Sequence, residues 1–128
     1  LYTGEEKHEV KKILDRERLL VLQGLTRKMP IANDVKNYAL KIITATRPAN
    51  SSTAKKYLEY GASPRASIGI ILAAKASALV NGRNYVGKED IKKMAYPVLR
   101  HRIILNFESE RKGVSADKII REIIEGVK

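Results

Sequence analysis

From Pro64 to about Val80 the chain is apolar on nearly every side of a helix. Ile68, Ile70, Ile71, Leu72, Ala73, Ala74, Ala76, Ala78, Leu79 and Val80 wrap most of its circumference. The run is too short to cross a bilayer, and a helix apolar almost all round belongs at the centre of a bundle. Its small alanines let neighbouring helices approach closely. Proline is favoured at a first helical position and serine just before it is a capping residue, so Ser63-Pro64 marks the start. Asn81-Gly82 marks the end. This one stretch requires several other helices around it.

The rest of the sequence supplies them. Val35, Tyr38, Ala39, Ile42, Ile43 and Thr46 recur at helical spacing, which predicts a helix from Asp34 to about Thr46, with Arg47 at its C-terminal end and Pro48 closing it. Upstream, Thr3 or Gly4 opens a helical stretch with Val10, Ile13 and Leu14 on its apolar side. Asp15 begins another that turns Leu19, Leu20, Leu22 and Leu25 inward until Pro30, and the two could be one longer helix. Residues 48–60 read as a polar loop followed by a short amphipathic stretch. A helix from Lys88 faces Ile91, Met94 and Ala95 inward and should kink or restart near Pro97. Ile103-Ile104-Leu105 is a short apolar run, extended or buried, and Ser115 caps a last helix carrying Ile119, Ile120, Ile123, Ile124 and Val127. No alternating strand pattern or hairpin turn is convincing. The expected fold is all-α, a single domain over residues 1–128 with about five to seven helices.

Composition excludes several kinds of chemistry. The chain has no cysteine, so disulfides and thiolate metal sites are out, and His8 and His101 have no ligand-type spacing around them. No membrane span or signal peptide is visible, which points to the cytoplasm. A first residue of leucine points to a piece of a longer protein. The net charge of +11 keeps a basic nucleic-acid-binding helical module as the rival reading. Against it, the basic residues are spread along the whole chain, and six tyrosines with one phenylalanine offer little for base stacking. Glutamates and aspartates beside lysines read as ordinary surface pairs, and no nucleophile–base grouping appears. Gly82 to Lys88 imitates the first seven positions of a phosphate-binding P-loop, but Glu89 stands where a Ser or Thr must hold magnesium. No buried strand leads into it, and its glycines read better as a helix stop and a turn.

Arg65 is the one residue placed against the local rule. A helix start carries partial positive charge and favours acids, which Asn33-Asp34, Lys88-Glu89-Asp90 and Ser115-Ala116-Asp117 provide. The helix beginning at Pro64 has an arginine there and no acid nearby. An arginine at a helix N-terminus makes an anion site, and phosphate is the commonest biological anion. The same placement fits an exposed arginine with no partner.

Tyr60-Gly61-Ala62-Ser63-Pro64-Arg65-Ala66-Ser67, with Ala45-Thr46-Arg47-Pro48 before it and Gly82-Arg83-Asn84-Tyr85-Val86 after it, resembles the C-terminal part of MoxR-family AAA+ ATPases. Lys88-Glu89-Asp90-Ile91-Lys92 and Val98-Leu99-Arg100-His101-Arg102 continue the resemblance, which covers roughly residues 15 to 124. Magnesium-chelatase subunits and MCM helicases share the Ser-Pro-Arg element, so that element alone does not choose the family. The resemblance implies the helical lid of such an ATPase, following a core that carries Walker A and Walker B. It implies that Arg65 is the sensor 2 residue reaching the γ-phosphate of ATP, with Ser63 and Pro64 beside it at the nucleotide's edge. ATP and Mg2+ would be held mainly by the core, within a hexameric ring that remodels client proteins or inserts metal cofactors. Both Walker motifs, sensor 1 and the arginine finger are missing from this chain, so the fragment alone is expected to be inactive.

Overall fold

The computed structural model describes Gly4 and residues 9–128. Among them are seven helices, α1 (Arg16–Lys28), α2 (Asn33–Ala45), α3 (Ser52–Tyr57), α4 (Arg65–Val80), α5 (Lys88–Leu99), α6 (Phe107–Arg111) and α7 (Ala116–Gly126). Two short strands, β1 (Leu58–Tyr60) and β2 (Ile104–Leu105), pair antiparallel. The architecture is the all-α bundle expected, with one small ribbon added where Ile103–Leu105 was read as extended or buried. Leu58 faces Leu105 in that ribbon, and Asn106 donates its backbone N–H to the Tyr57 carbonyl at 2.9 Å. The ribbon ties α3 to the segment after α5.

The core forms where the apolar stripes of α2, α4, α5 and α7 meet. Ile42, Ile70, Ile91, Leu99, Ile119 and Ile120 are completely buried there. Along α4 the alanines at 66, 74 and 78 are buried against α5 and α2, as close packing of small residues requires. Its opposite side is less enclosed than the sequence suggests: Ile68, Leu72 and Val80 are exposed. Helix α5 runs through Pro97 without a break or restart. Pro97 lies in the last turn, where a missing N–H costs one bond and few residues follow to be redirected. Met94 is half-buried rather than part of the core proper.

The N-terminal end departs from expectation. Residues 9–15 are not helical, and the rest of the helix expected from Thr3 or Gly4 falls mostly outside the described residues. Helix α1 starts after Asp15, whose carboxylate accepts the Arg18 N–H at 2.8 Å. None of its residues is buried, and Leu19, Leu20, Leu22 and Leu25 stay half-exposed although their spacing pointed them inward. The reason is partnership: α1 packs mainly against α4, at the rim of the bundle.

A turn at Gly82, with φ of +74°, carries the chain from α4 towards α5. This is a left-handed conformation that only glycine adopts cheaply. Beyond it Val86 donates to the Pro30 carbonyl at 3.2 Å, and Asp90 is drawn inward. The Asp90 carboxylate takes a bidentate pair from Arg83, with one arm at 2.7 Å, and accepts the Gly87 N–H at 2.9 Å. Asp90 is therefore no ordinary surface pair but a buried clamp at the start of α5. The same bonds rule out a P-loop, because Gly87 is occupied in capping a helix.

The Arg83 guanidinium, helped by the Gly87 N–H, holds the Asp90 carboxyl below the usual aspartate range against the opposing effect of burial. A group with a depressed folded-state pKa contributes stability above its unfolded pKa and loses it as pH falls through the folded one. Asp90→Asn should therefore cost roughly 1.5–3 kcal/mol at neutral pH. The gap should close as pH falls below the ordinary aspartate range and through the depressed folded-state value of Asp90, where the parent loses the ion pair as well. Urea midpoints at neutral and acid pH measure both; equal midpoints at neutral pH would mean the clamp adds nothing.

Candidate functional site

Three of the positions singled out in the sequence lie together at the mouth of α4. Ser63, Pro64 and Arg65 are consecutive and all exposed, between the buried Ala62 and Ala66. Pro64 has helical angles, φ −56° and ψ −25°, so the helix is entered at the proline as its fixed φ allows. The serine does less than its type suggests. No side chain caps α4, and the Ser63 contribution is its carbonyl, which accepts the Ala66 N–H at 2.9 Å. The Pro64 carbonyl takes the Ser67 N–H at 3.1 Å and the Ser67 hydroxyl at 2.6 Å.

These bonds narrow the anion site. Two backbone amides that could have met a phosphate are engaged within the first turn, and proline has none to offer. What remains is the guanidinium of Arg65, its backbone N–H, which no described bond engages, and the field of the helix end. Among the described residues, no ion pair or side-chain hydrogen bond engages Arg65. The other helix starts differ. Asp15, Ser51, Asn106 and Ser115 each cap with a side chain, α5 has Asp90, and α2 has Asp34 in its first turn. The first turn of α4 has neither a cap nor an acid.

Two other arginines are held by acids within the bundle. Arg83 clamps Asp90, and Arg100 makes a bidentate pair with Asp117 at 2.7 and 3.0 Å. Arg47 and His101 are exposed. A surface depression of about 550 Å³ is lined by Asp34, Tyr38, Lys41, Thr44 and Lys88 among others and excludes Ser63, Pro64 and Arg65. Arg65 thus lies on an exposed edge outside that depression. No cluster of metal-ligating side chains occurs among the described residues, and no described helix is long and apolar enough to cross a membrane.

Sequence reasoning missed what lies beneath that edge. Thr46, read as one more position on the stripe of α2, is completely buried and polar. Its hydroxyl donates to the Ile43 carbonyl at 2.6 Å and accepts the Ala62 N–H at 2.9 Å. Gly61 lies flat on the same threonine. A Cβ there would run into the Thr46 carbonyl and come within 2.8 Å of its hydroxyl oxygen. The available signal was a hydroxyl at an apolar-stripe position, which a buried site tolerates only with a partner.

The family profile of the AAA lid domain matches residues 50–123, more than half of the chain, so the protein belongs to that family of helical lids. The chain is related to MoxR-family ATPases. The chain is 34% identical over 127 residues to "Chaperone MoxR1" of Mycobacterium tuberculosis, covering 97% of this chain and 34% of that protein. It is also 34% identical over 116 residues to "Uncharacterized protein YeaC" of Bacillus subtilis, covering 91% and 34%. A crystal structure of a "putative ATPase" from Cytophaga hutchinsonii superposes with a TM-score of 0.84 at 40% identity, over 92% of this chain and 37% of that one. The chain thus spans about a third of the length of the relatives it matches.

Proposed function

We propose that this bundle is the lid of a MoxR-type AAA+ ATPase, closing over ATP bound by a core domain. Arg65 carries the reading: it is the exposed cation at the one described helix start with neither acid nor cap. The bound nucleotide would supply a phosphoryl group whose charge grows during transfer, with Mg2+ held by the core. The guanidinium of Arg65 would meet the γ-phosphate with two parallel N–H donors, a geometry lysine lacks. Ser63 and Pro64 would lie along the nucleotide's edge. Closing and opening of the lid would couple hydrolysis to remodelling of a client protein or insertion of a metal cofactor, in a cytoplasmic hexameric ring. The bundle alone, without Walker motifs, would not hydrolyse ATP.

Lid closure is measurable because this chain has no cysteine to interfere. A cysteine at the exposed Arg111 and a second on the core of the full-length protein would carry a fluorescence-transfer pair. Transfer should change on adding a non-hydrolysable ATP analogue and not on adding AMP. An unchanged signal in a protein that still binds the analogue would sink the lid reading. Tight, sequence-preferring DNA binding that survives physiological salt would favour the nucleic-acid rival instead.

A further inference from the structure

The joint between Thr46 and the Gly61-Ala62 pair lies three residues from Arg65, and nothing about core packing requires it to be polar. Buried hydroxyls are tolerated only when bonded, and this one is bonded on both sides, to the end of α2 and to the strand-to-helix segment. Removing it would strand the Ala62 N–H inside the protein, since Ala62 is also buried. Gly61 is not chosen for an unusual backbone angle, because the positive-φ glycines are Gly82 and Gly113. It is there for close approach: any side chain would push the 58–64 segment off the threonine. From Ala62 the chain passes directly into Ser63 and Pro64, whose carbonyls close the first turn of α4. Between the pairing of β1 with β2 and the first-turn bonds of α4, the Thr46 hydroxyl is the hydrogen-bond partner that ties this segment to α2.

We infer that Thr46 is a positioning residue for Arg65, with its hydroxyl and the bare face of Gly61 setting the place from which the guanidinium reaches a nucleotide phosphate. The inference rests on the phosphate-reading role proposed for Arg65. A displacement of about 1 Å at a charge-stabilising group is enough to lose one to two orders of magnitude in rate. Nucleotide affinity should be little affected, because most phosphate contacts belong to the core. Thr46 touches no substrate in this scheme; it acts through Arg65.

The test is a double-mutant cycle in the full-length ATPase, reading kcat and KM for ATP. Thr46→Val keeps the side chain's volume and removes only the hydroxyl; it should lower kcat about tenfold and change KM less than about twofold. Thr46→Ser, which restores the hydroxyl, should recover most of the rate. In an Arg65→Ala background, Thr46→Val should cause no further loss, because the group it positions is gone. Full additivity of the two losses would overturn the positioning role, as would a normal kcat for Thr46→Val beside a crippled Arg65→Ala. If Arg65→Ala itself hydrolyses ATP normally, the phosphate reading fails and takes this inference with it. Hydrogen exchange of the peptide containing Ala62, in the same assembled protein, gives a second measure. It should speed up in Thr46→Val and in Thr46→Ala, and unchanged protection in both would equally overturn the joint.

Discussion

Arg65→Ala in the full-length ATPase should cut steady-state ATP hydrolysis by about a hundredfold while leaving the protein folded. The residue is exposed and is engaged by no ion pair or side-chain hydrogen bond among the described residues, so its removal opens no sealed cavity and strands no partner. Removing a cation from a helix start, where the helix field disfavours it, is neutral or slightly stabilising. The melting temperature should stay level or rise slightly. ATP affinity should weaken only a fewfold, because interactions that strengthen with developing charge act on the rate more than on ground-state binding. Arg65→Lys should recover part of the rate, since a point charge replaces the lost charge but not the planar fork. Rates, nucleotide affinities and melting curves for the three proteins decide the matter together. Normal hydrolysis with a sharply lowered melting temperature would make Arg65 a structural residue.

The helix start with Arg65 and no acid was legible in the sequence because its oddity is local. Charge at a helix start can be judged from four or five neighbouring residues, and the proline fixes where the start is. The support beneath it was not legible for the opposite reason. Thr46 and Ala62 are sixteen positions apart in sequence, and threonine fits a helical stripe without betraying that its hydroxyl has a distant partner. Arg83 and Asp90 hid in a different way. The sequence around them is rich in charge, and only the fold reveals that the turn at Gly82 brings the guanidinium back over the first turn of α5.

The fold followed the same division. Helices with one-sided stripes, α2 and α7 above all, lie close to where periodicity put them, because burial of a continuous face is a strong and local constraint. The β1–β2 ribbon escaped notice because its strands span three and two residues, too few for an alternation to show. Pro97 does not restart the helix, because its effect depends on how much helix follows it, and here there is almost none. With α1 the error was about coverage. An apolar stripe states that a face is suited to burial, but not that a neighbour is present to bury it.

That distinction sets up a sharp contrast in stability. Ile91 on α5 is completely buried among α2, α4 and α7, whereas Leu22 on α1 remains 38% exposed. Truncating a large side chain in a closed core loses its transfer free energy and leaves a cavity, together about 2–5 kcal/mol for isoleucine to alanine. Against a total stability of about 5–15 kcal/mol, Ile91→Ala should lower the melting temperature by roughly 10–20 °C. Leu22→Ala leaves no sealed cavity, because solvent already reaches the site, and alanine is the better helix former. Its cost should stay within about 1 kcal/mol. Thermal melts of this chain followed by circular dichroism would measure both variants against a parent spectrum that should be dominantly helical. Comparable losses for the two substitutions would mean that α1 is as deeply embedded as α5, contrary to its place at the rim.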